Sequence, residues 1–178
     1  MKYFEIMLDK DSYRFAPQII NWYERINVRL INWECYHLLP DRKVLPISPS
    51  PNTIFTDIVT SPFLLVSPVV KDVIRMYGDD VVFKEIVLSD SSNKIYCQYY
   101  LPIMEIRDNV RLSYLKAEGK NGITDGDASR WEKLGNIFWL KDKSAKKTII
   151  NLDIAESLLR RNVKGIKLRE IIICEENR

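Results

Sequence analysis

The sequence predicts an α+β domain, a mostly antiparallel sheet carrying two or three short helices. Three observations carry that expectation. Short runs rich in β-branched and aromatic residues recur along the chain, among them YFEIML, VVFKEIVL, KIYCQYYLPIM and IKLREIII. Two stretches, near 69–77 and 154–159, show apolar residues at the 3.6-residue spacing of a helix face. Each of those stretches lies between two strand-like runs, and residues 63–88 align without a gap on 148–173, an offset of 85 positions.

Taken in order, residues 2–8 alternate as an opening strand. From Phe15 to Leu39 the aromatics Phe15, Trp22, Tyr23, Trp33 and Tyr36 crowd together at a spacing that fits neither a helix nor a strand. Pro40, Pro46, Pro49 and Pro51 make PDRKVLPISPSPN a loop, because proline removes backbone donors. FLLVS is a strand. Ser67 and Pro68 open a helix as N-cap and first helical residue. Val69, Val70, Val73, Ile74 and Tyr77 form its apolar face, Gly78 ends it, and VVFKEIVL returns as a strand.

KIYCQYYLPIM (94–104) pairs with 81–88 across the polar SDSSN turn, and Val110 to Leu115 adds a short strand. NGITDGDASR reads as a loop, NIFWLKD (136–142) as a strand and TIIN as another. Asn151 or Asp153 caps a helix whose face is Ile154, Ala155, Leu158 and Leu159. Arg160 and Arg161 fall where cations suit the carbonyl end of the dipole. Gly165 turns the chain into IKLREIII.

In both units a charged pair, Lys84-Glu85 or Arg169-Glu170, interrupts the second strand. A bulge, or a strand partly buried on both faces beyond the pair, would account for each. The two units are structural rather than parts of an active site. Residues 1–60 form an aromatic and proline-rich segment packed on the α+β core of 61–178, within one domain overall.

The 178 residues suffice for one unstapled core, and 46% apolar with 29% charged residues is an ordinary globular balance. Net charge is +3, from 27 basic and 24 acidic residues, so a strongly basic nucleic-acid footprint is not expected. Lys141, Lys143, Lys146, Lys147, Arg160 and Arg161 could still make a basic face; solvated charges are the plainer reading. Cys35, Cys97 and Cys174 are odd in number and sit among apolar residues, as buried thiols do in a reducing cytosol. Apolar runs fall short of the ~20 residues of a membrane span, and MKYFEIMLDKD does not read as a signal peptide. A cytoplasmic protein is expected.

Catalytic chemistry finds little support. His37 is the single histidine, and with Cys35 two residues away it makes only a weak candidate dyad. Neither GxGxxG nor a P-loop is present, and no cysteines have metal spacing. Asp125 and Asp127 begin like a calcium loop, but the sixth and twelfth positions are Arg130 and Asn136. Hence no catalytic residue, cofactor or metal is expected.

The order of elements around LLVS–helix, YYLP, IFWLK and DIAESLLRRN followed by G-I-K-L resembles immunity protein family eleven of the bacterial polymorphic toxin systems, over about residues 60–173. The resemblance implies a cytoplasmic α+β protein that binds a cognate toxin in the producing cell and blocks it. The matching residues belong to packing and turns, so no functional residue carries over. A toxin-binding surface would draw on 15–39 and the 40–52 loop, with Trp22, Trp33 and Trp131 as anchors. An interaction or scaffold module, a nucleic-acid-binding domain on the basic residues above, and an enzyme using Cys35 and His37 are the alternatives.

Overall fold

Two sheets share the work of burying two helices. A computed structural model describes residues 2–78, 80–107, 110–114, 135–142 and 145–175. The first sheet holds β1 (Tyr3–Leu8), β7 (Ile106–Arg107), β8 (Val110–Tyr114), β9 (Ile137–Asp142), β10 (Ala145–Asn151) and β11 (Ile166–Glu175), in the order β7-β9-β10-β1-β11-β8. The second holds β2 (Arg42–Pro46), β3 (Ile58–Val59), β4 (Leu65–Val66), β5 (Val82–Asp90) and β6 (Ile95–Ile103), in the order β2-β5-β6-β4-β3. Pairing is antiparallel except for β2 with β5 and β7 with β9. The expected α+β class holds, with the strands divided between two sheets rather than gathered in one.

Each sheet contains a strand–helix–strand unit split by a central strand. Helix α1 (Pro68–Tyr77) joins β4 to β5, and β6 runs antiparallel between them. Helix α2 (Leu152–Arg160) joins β10 to β11, and β1 runs antiparallel between those. The caps are those the sequence offers. Ser67 Oγ accepts from the Val70 N–H at 3.4 Å with Pro68 at the first helical position, and Asn151, not Asp153, accepts from the Ile154 N–H at 3.0 Å.

The two apolar helix faces meet. Val70, Val73 and Ile74 of α1 pack with Ile154, Ala155 and Leu158 of α2, and Ile6, Ile58, Val66 and Ile150 close the cluster from the two sheets. A second cluster covers the opposite face of the five-stranded sheet. Leu45, Ile86, Leu88, Tyr99 and Leu101 receive Ile26, Ile31 and Leu39 from the N-terminal segment and Trp139 from β9.

The charged pairs are resolved by neighbours, without a bulge. The β5–β6 and β1–β11 registers run unbroken through both pairs. Lys84 reaches Asp41 at 2.7 Å and Glu85 reaches Arg42 at 2.9 Å. Arg169 holds Glu5 directly across the ladder at 2.6 Å, while Glu170 meets Lys2 at 3.2 Å on the other face. Alternate faces of these strands are covered by different elements, so each charge of the pair is met separately.

Other departures are local. The 40–52 stretch is not all loop: Arg42–Pro46 lies parallel beside β5 at the edge, where a proline costs no ladder hydrogen bond. The aromatic 15–39 stretch folds as three 3-10 turns, at Trp22–Glu24, Val28–Leu30 and Tyr36–Leu38. Cys35 and Cys97 are free and half-buried rather than fully buried. Asp125 and Asp127 lie outside the described residues. Among the described residues no helix is long and apolar enough to cross a membrane.

Where the two sheets abut, residues 56–57 meet 164–165. The Asp57 N–H donates to the Lys164 carbonyl at 2.9 Å, and the Lys164 N–H donates to Asp57 Oδ2 at 2.6 Å. Gly165 has φ +81°, and a Cβ there would stand 2.8 Å from Thr56. Both left-handed strain and a clash oppose any side chain. Gly165→Ala is expected to lower unfolding free energy by about 2 kcal/mol in urea melts; an unchanged midpoint would show that this contact does not constrain the fold.

The SDSSN turn is organised by one carboxylate. Buried Asp90 accepts from the N–H groups of Ser50, Ser92 and Asn93 and from Asn93 Nδ2, at 3.0, 3.0, 3.1 and 2.7 Å. The Asn93 side-chain bond, more than offsetting burial, holds its pKa below the usual carboxylate range. Such a group stabilises the fold above its unfolded pKa of ~3.9 and loses that effect as pH falls through the lower folded value. Asp90→Asn is therefore expected to be less stable at neutral pH and to show a shallower loss of stability below about pH 4, measured as urea midpoint against pH.

Candidate protein-interaction site

The N-terminal segment displays apolar side chains because of how its turns are pinned. Ile26, Ile31 and Leu39 are inserted into the core at intervals. Short polar bonds fix the chain between them: Asn27 Oδ1 accepts from the Arg29 N–H at 3.0 Å, and Asn32 Oδ1 accepts from the Glu34 and Cys35 N–H groups at 2.9 and 2.8 Å. A 3-10 turn directs its residues to three sides, so with one side anchored the others point to solvent. Tyr23 is 65% exposed, Leu38 61% and Trp33 43%, with Val28 exposed as well.

Trp22 and Trp33 play different parts. Trp22 is half-buried, edge-to-face with Phe63 at 6.4 Å and with Tyr23 at 5.9 Å. Trp33 leans on Tyr36 at 5.6 Å and presents its indole outward. Trp131 lies outside the described residues.

Beside Trp22 a cleft of about 810 Å³ opens at the junction of the two sheets. Strands β1 and β10 are paired only over Tyr3–Glu5 and Ile149–Asn151. Beyond that point β1 continues to Leu8 beside β11 and β10 reaches back to Ala145 beside β9, so the cleft lies between Ile6–Leu8 and Lys146–Thr148. Trp22, Phe63, Leu101 and Trp139 supply apolar walls. Lys10, Lys146, Lys147 and Lys167 face two acids, Glu5 and Asp11. Both acids already have cationic partners, Glu5 with Arg169 at 2.6 Å and Asp11 with Lys167 at 3.7 Å.

Lys146 ties the cleft to the N-terminal segment. Its ammonium donates to the Ile31 carbonyl and lies 4.5 Å from the centre of the Trp139 ring. Desolvation, and then the neighbouring Lys141 charge, lower its pKa. Of the other residues considered for nucleic acid, Arg160 pairs with Glu156 at 2.9 Å and Arg161 bonds to the Ser157 carbonyl at 3.0 Å, while Lys143 lies outside the described residues. His37 is exposed against Tyr36, with ring centroids 6.2 Å apart, and no hydrogen bond joins it to Cys35 among the described residues.

Aromatic clustering in the sequence singles out Trp22 and Trp33, of which the structure half-buries the first and exposes the second. It misses the cleft, because Lys10, Lys147 and Lys167 come from three remote stretches and nothing in the sequence marks where β1 and β10 part.

Comparison with protein-family models and with curated proteins finds no match for the chain.

Lys146→Met keeps an apolar stem over Trp139 and removes the donor to Ile31. The expected result is a loss of about 1–2 kcal/mol with faster amide hydrogen exchange across residues 26–31. Exchange at the wild-type rate in that segment would mean the bond does not hold it.

Proposed function

We propose that this protein is a non-catalytic binding protein, an immunity protein that holds and blocks a cognate toxin in the cytoplasm of the cell producing it. One observation carries the reading. Of the thirteen large apolar side chains exposed among the described residues, eight lie within Phe15–Ile54. Isolated exposed apolar residues are normal, but a concentration in one segment is typical of a partner surface. Trp33 and Tyr23 have the amphipathic chemistry enriched at hot spots, and the turn that holds Trp33 is pinned by Asn32 before any partner arrives. The family resemblance supplies the kind of partner. An interface of ~800 Å² on this side is the size such a complex requires.

The protein should be tagged in its host and captured with its partner, and the partner's toxicity measured with and without it. Trp33→Ala is expected to weaken that complex by roughly 30-fold, the effect of a 2 kcal/mol hot spot, with only a small drop in melting temperature, because the indole loses its contact with Tyr36 but belongs to neither core cluster. Full affinity after combined alanine substitution of Tyr23, Trp33 and Leu38 would remove this segment as the binding surface. A host culture that shows no stoichiometric partner while the neighbouring genes are expressed would count against the reading itself.

A further inference from the structure

One sheet edge within the exposed N-terminal third has main-chain groups that the fold leaves unused. We propose that β2 receives an extended segment of the protein partner as an added strand along its outer edge at Arg42–Val44, with an acidic side chain opposite Lys43 and an apolar one opposite Val44. This inference rests on the protein-binding reading above and names the conformation and chemistry of one part of that partner.

The backbone sets the first requirement. In the parallel pair of β2 with β5, the Glu85 N–H donates to the Asp41 carbonyl at 2.8 Å and the Ile47 N–H donates to the Ser89 carbonyl at 3.0 Å. Main-chain groups alternate in direction along a strand, so Asp41, Lys43, Leu45 and Ile47 face β5 while Arg42, Val44 and Pro46 face outward. The chain itself begins to use this outer edge. Ile19 bridges Ile47 antiparallel, the Ile20 N–H donates to the Pro46 carbonyl at 3.0 Å, and the Ser48 N–H donates to the Gln18 carbonyl at 2.8 Å. Asn21, at φ +48°, then turns the chain away into the 3-10 turn at Trp22. Among the described residues nothing continues that pairing, and the outward N–H and C=O groups of Arg42 and Val44 have no hydrogen-bond partner. Groups of this kind take up an extended chain whatever its side chains.

Side chains set the second requirement. Val44 is 51% exposed and lies beside Val87 on one side of the sheet, while Lys43 points to the other side. Arg42 is held by Glu85 at 2.9 Å, and the neighbouring Lys84 by Asp41 at 2.7 Å. The Lys43 ammonium has no ion pair or hydrogen bond among the described residues. A residue directly opposite Lys43 therefore meets an unanswered positive charge, which favours Asp or Glu, and the next residue, opposite Val44, favours an apolar side chain. Edge lysines and prolines guard a sheet against its own kind. In an antiparallel pair with a second copy, the two-fold axis falls at Lys43, at Arg42 or at Val44. The first two set a cation opposite its own counterpart. The third lays Arg42 against Pro46, which has no N–H and whose carbonyl Ile20 already holds. The guard that repels a second copy admits a complementary strand from another protein.

The test is selection of random twelve-residue peptides on the purified full chain, followed by amide hydrogen exchange with the enriched sequences bound. The expected result is enrichment of peptides with Asp or Glu beside an apolar residue, slowed exchange at the Arg42 and Val44 N–H groups, and at least tenfold weaker binding to Val44→Pro. That substitution removes an outward donor and spares the β5 ladder, because the Val44 N–H does not face β5. Lys43→Glu is expected to turn the selection from acidic to basic peptides, and it decides the matter should Val44→Pro melt early. No enrichment, a selection unchanged by Lys43→Glu, protection confined to other residues, or full binding by folded Val44→Pro would each overturn the proposal. A dimer of the chain alone that Val44→Pro abolishes would assign the edge to a second copy and likewise overturn it. If the captured partner loses affinity on Trp33→Ala but binds folded Val44→Pro at full strength, the binding-protein reading stands and the edge is removed from it.

Discussion

The arrangement depends on the mutual burial of two amphipathic helices. Val70, Val73, Ile74, Ile154 and Leu158 are each wholly removed from solvent, and burying a side chain of that size is worth roughly 1.5–3 kcal/mol. Neither helix could hide its apolar stripe on its own sheet alone, because α1 and α2 complete each other's cover. Once they dock, the sheets that carry them are brought together, and the junction at Thr56–Asp57 and Lys164–Gly165 follows. Close approach at that junction is what excludes a side chain from position 165.

That docking leaves the two sheets with unequal needs. The five-stranded sheet has its second face covered by the N-terminal segment, which buries Ile26, Ile31 and Leu39 there and packs Ile19, Leu30 and Tyr36 against them in part. Everything between the anchors is turn, and turns satisfied by Asn27 and Asn32 keep Val28 and Trp33 outside. The exposed aromatic surface is therefore a by-product of covering a sheet with 3-10 turns in place of a helix. A helix of the same length would have buried a continuous stripe; the turns bury points. Lys146 closes this arrangement by holding the segment to β10 at the rim of the cleft.

Much of the architecture was legible in advance for a local reason. A capped helix announces itself through residues within one turn, as Ser67-Pro68 and Asn151 do, and β5, β6 and β11 show in their β-branched and aromatic content. The site was legible only in part. Trp22 and Trp33 stand out as large amphipathic residues in an irregular stretch, but their exposures differ because Trp22 found Phe63 as a neighbour and Trp33 did not. Of the two readings of Lys84-Glu85 and Arg169-Glu170, a bulge or a strand partly buried on both faces, the unbroken registers remove the bulge. Where both faces are partly covered, a charged pair can sit in a regular strand if each charge meets its own counter-ion, as Asp41, Arg42, Glu5 and Lys2 provide.

By itself the sequence determined the α+β class, both helices with their caps, most of the strands and the concentration of aromatics between Phe15 and Leu39, since each depends on residues a few positions apart. Tertiary structure decided the division into two sheets, the insertion of β6 and β1 into the middle of the two units, the edge strand hidden in a proline-rich stretch, and the cleft where β1 leaves β10. These depend on which strands find one another across many tens of residues, and on competition between sheets for the same apolar faces. Spacing along the chain carries no record of that competition; only the packed molecule does.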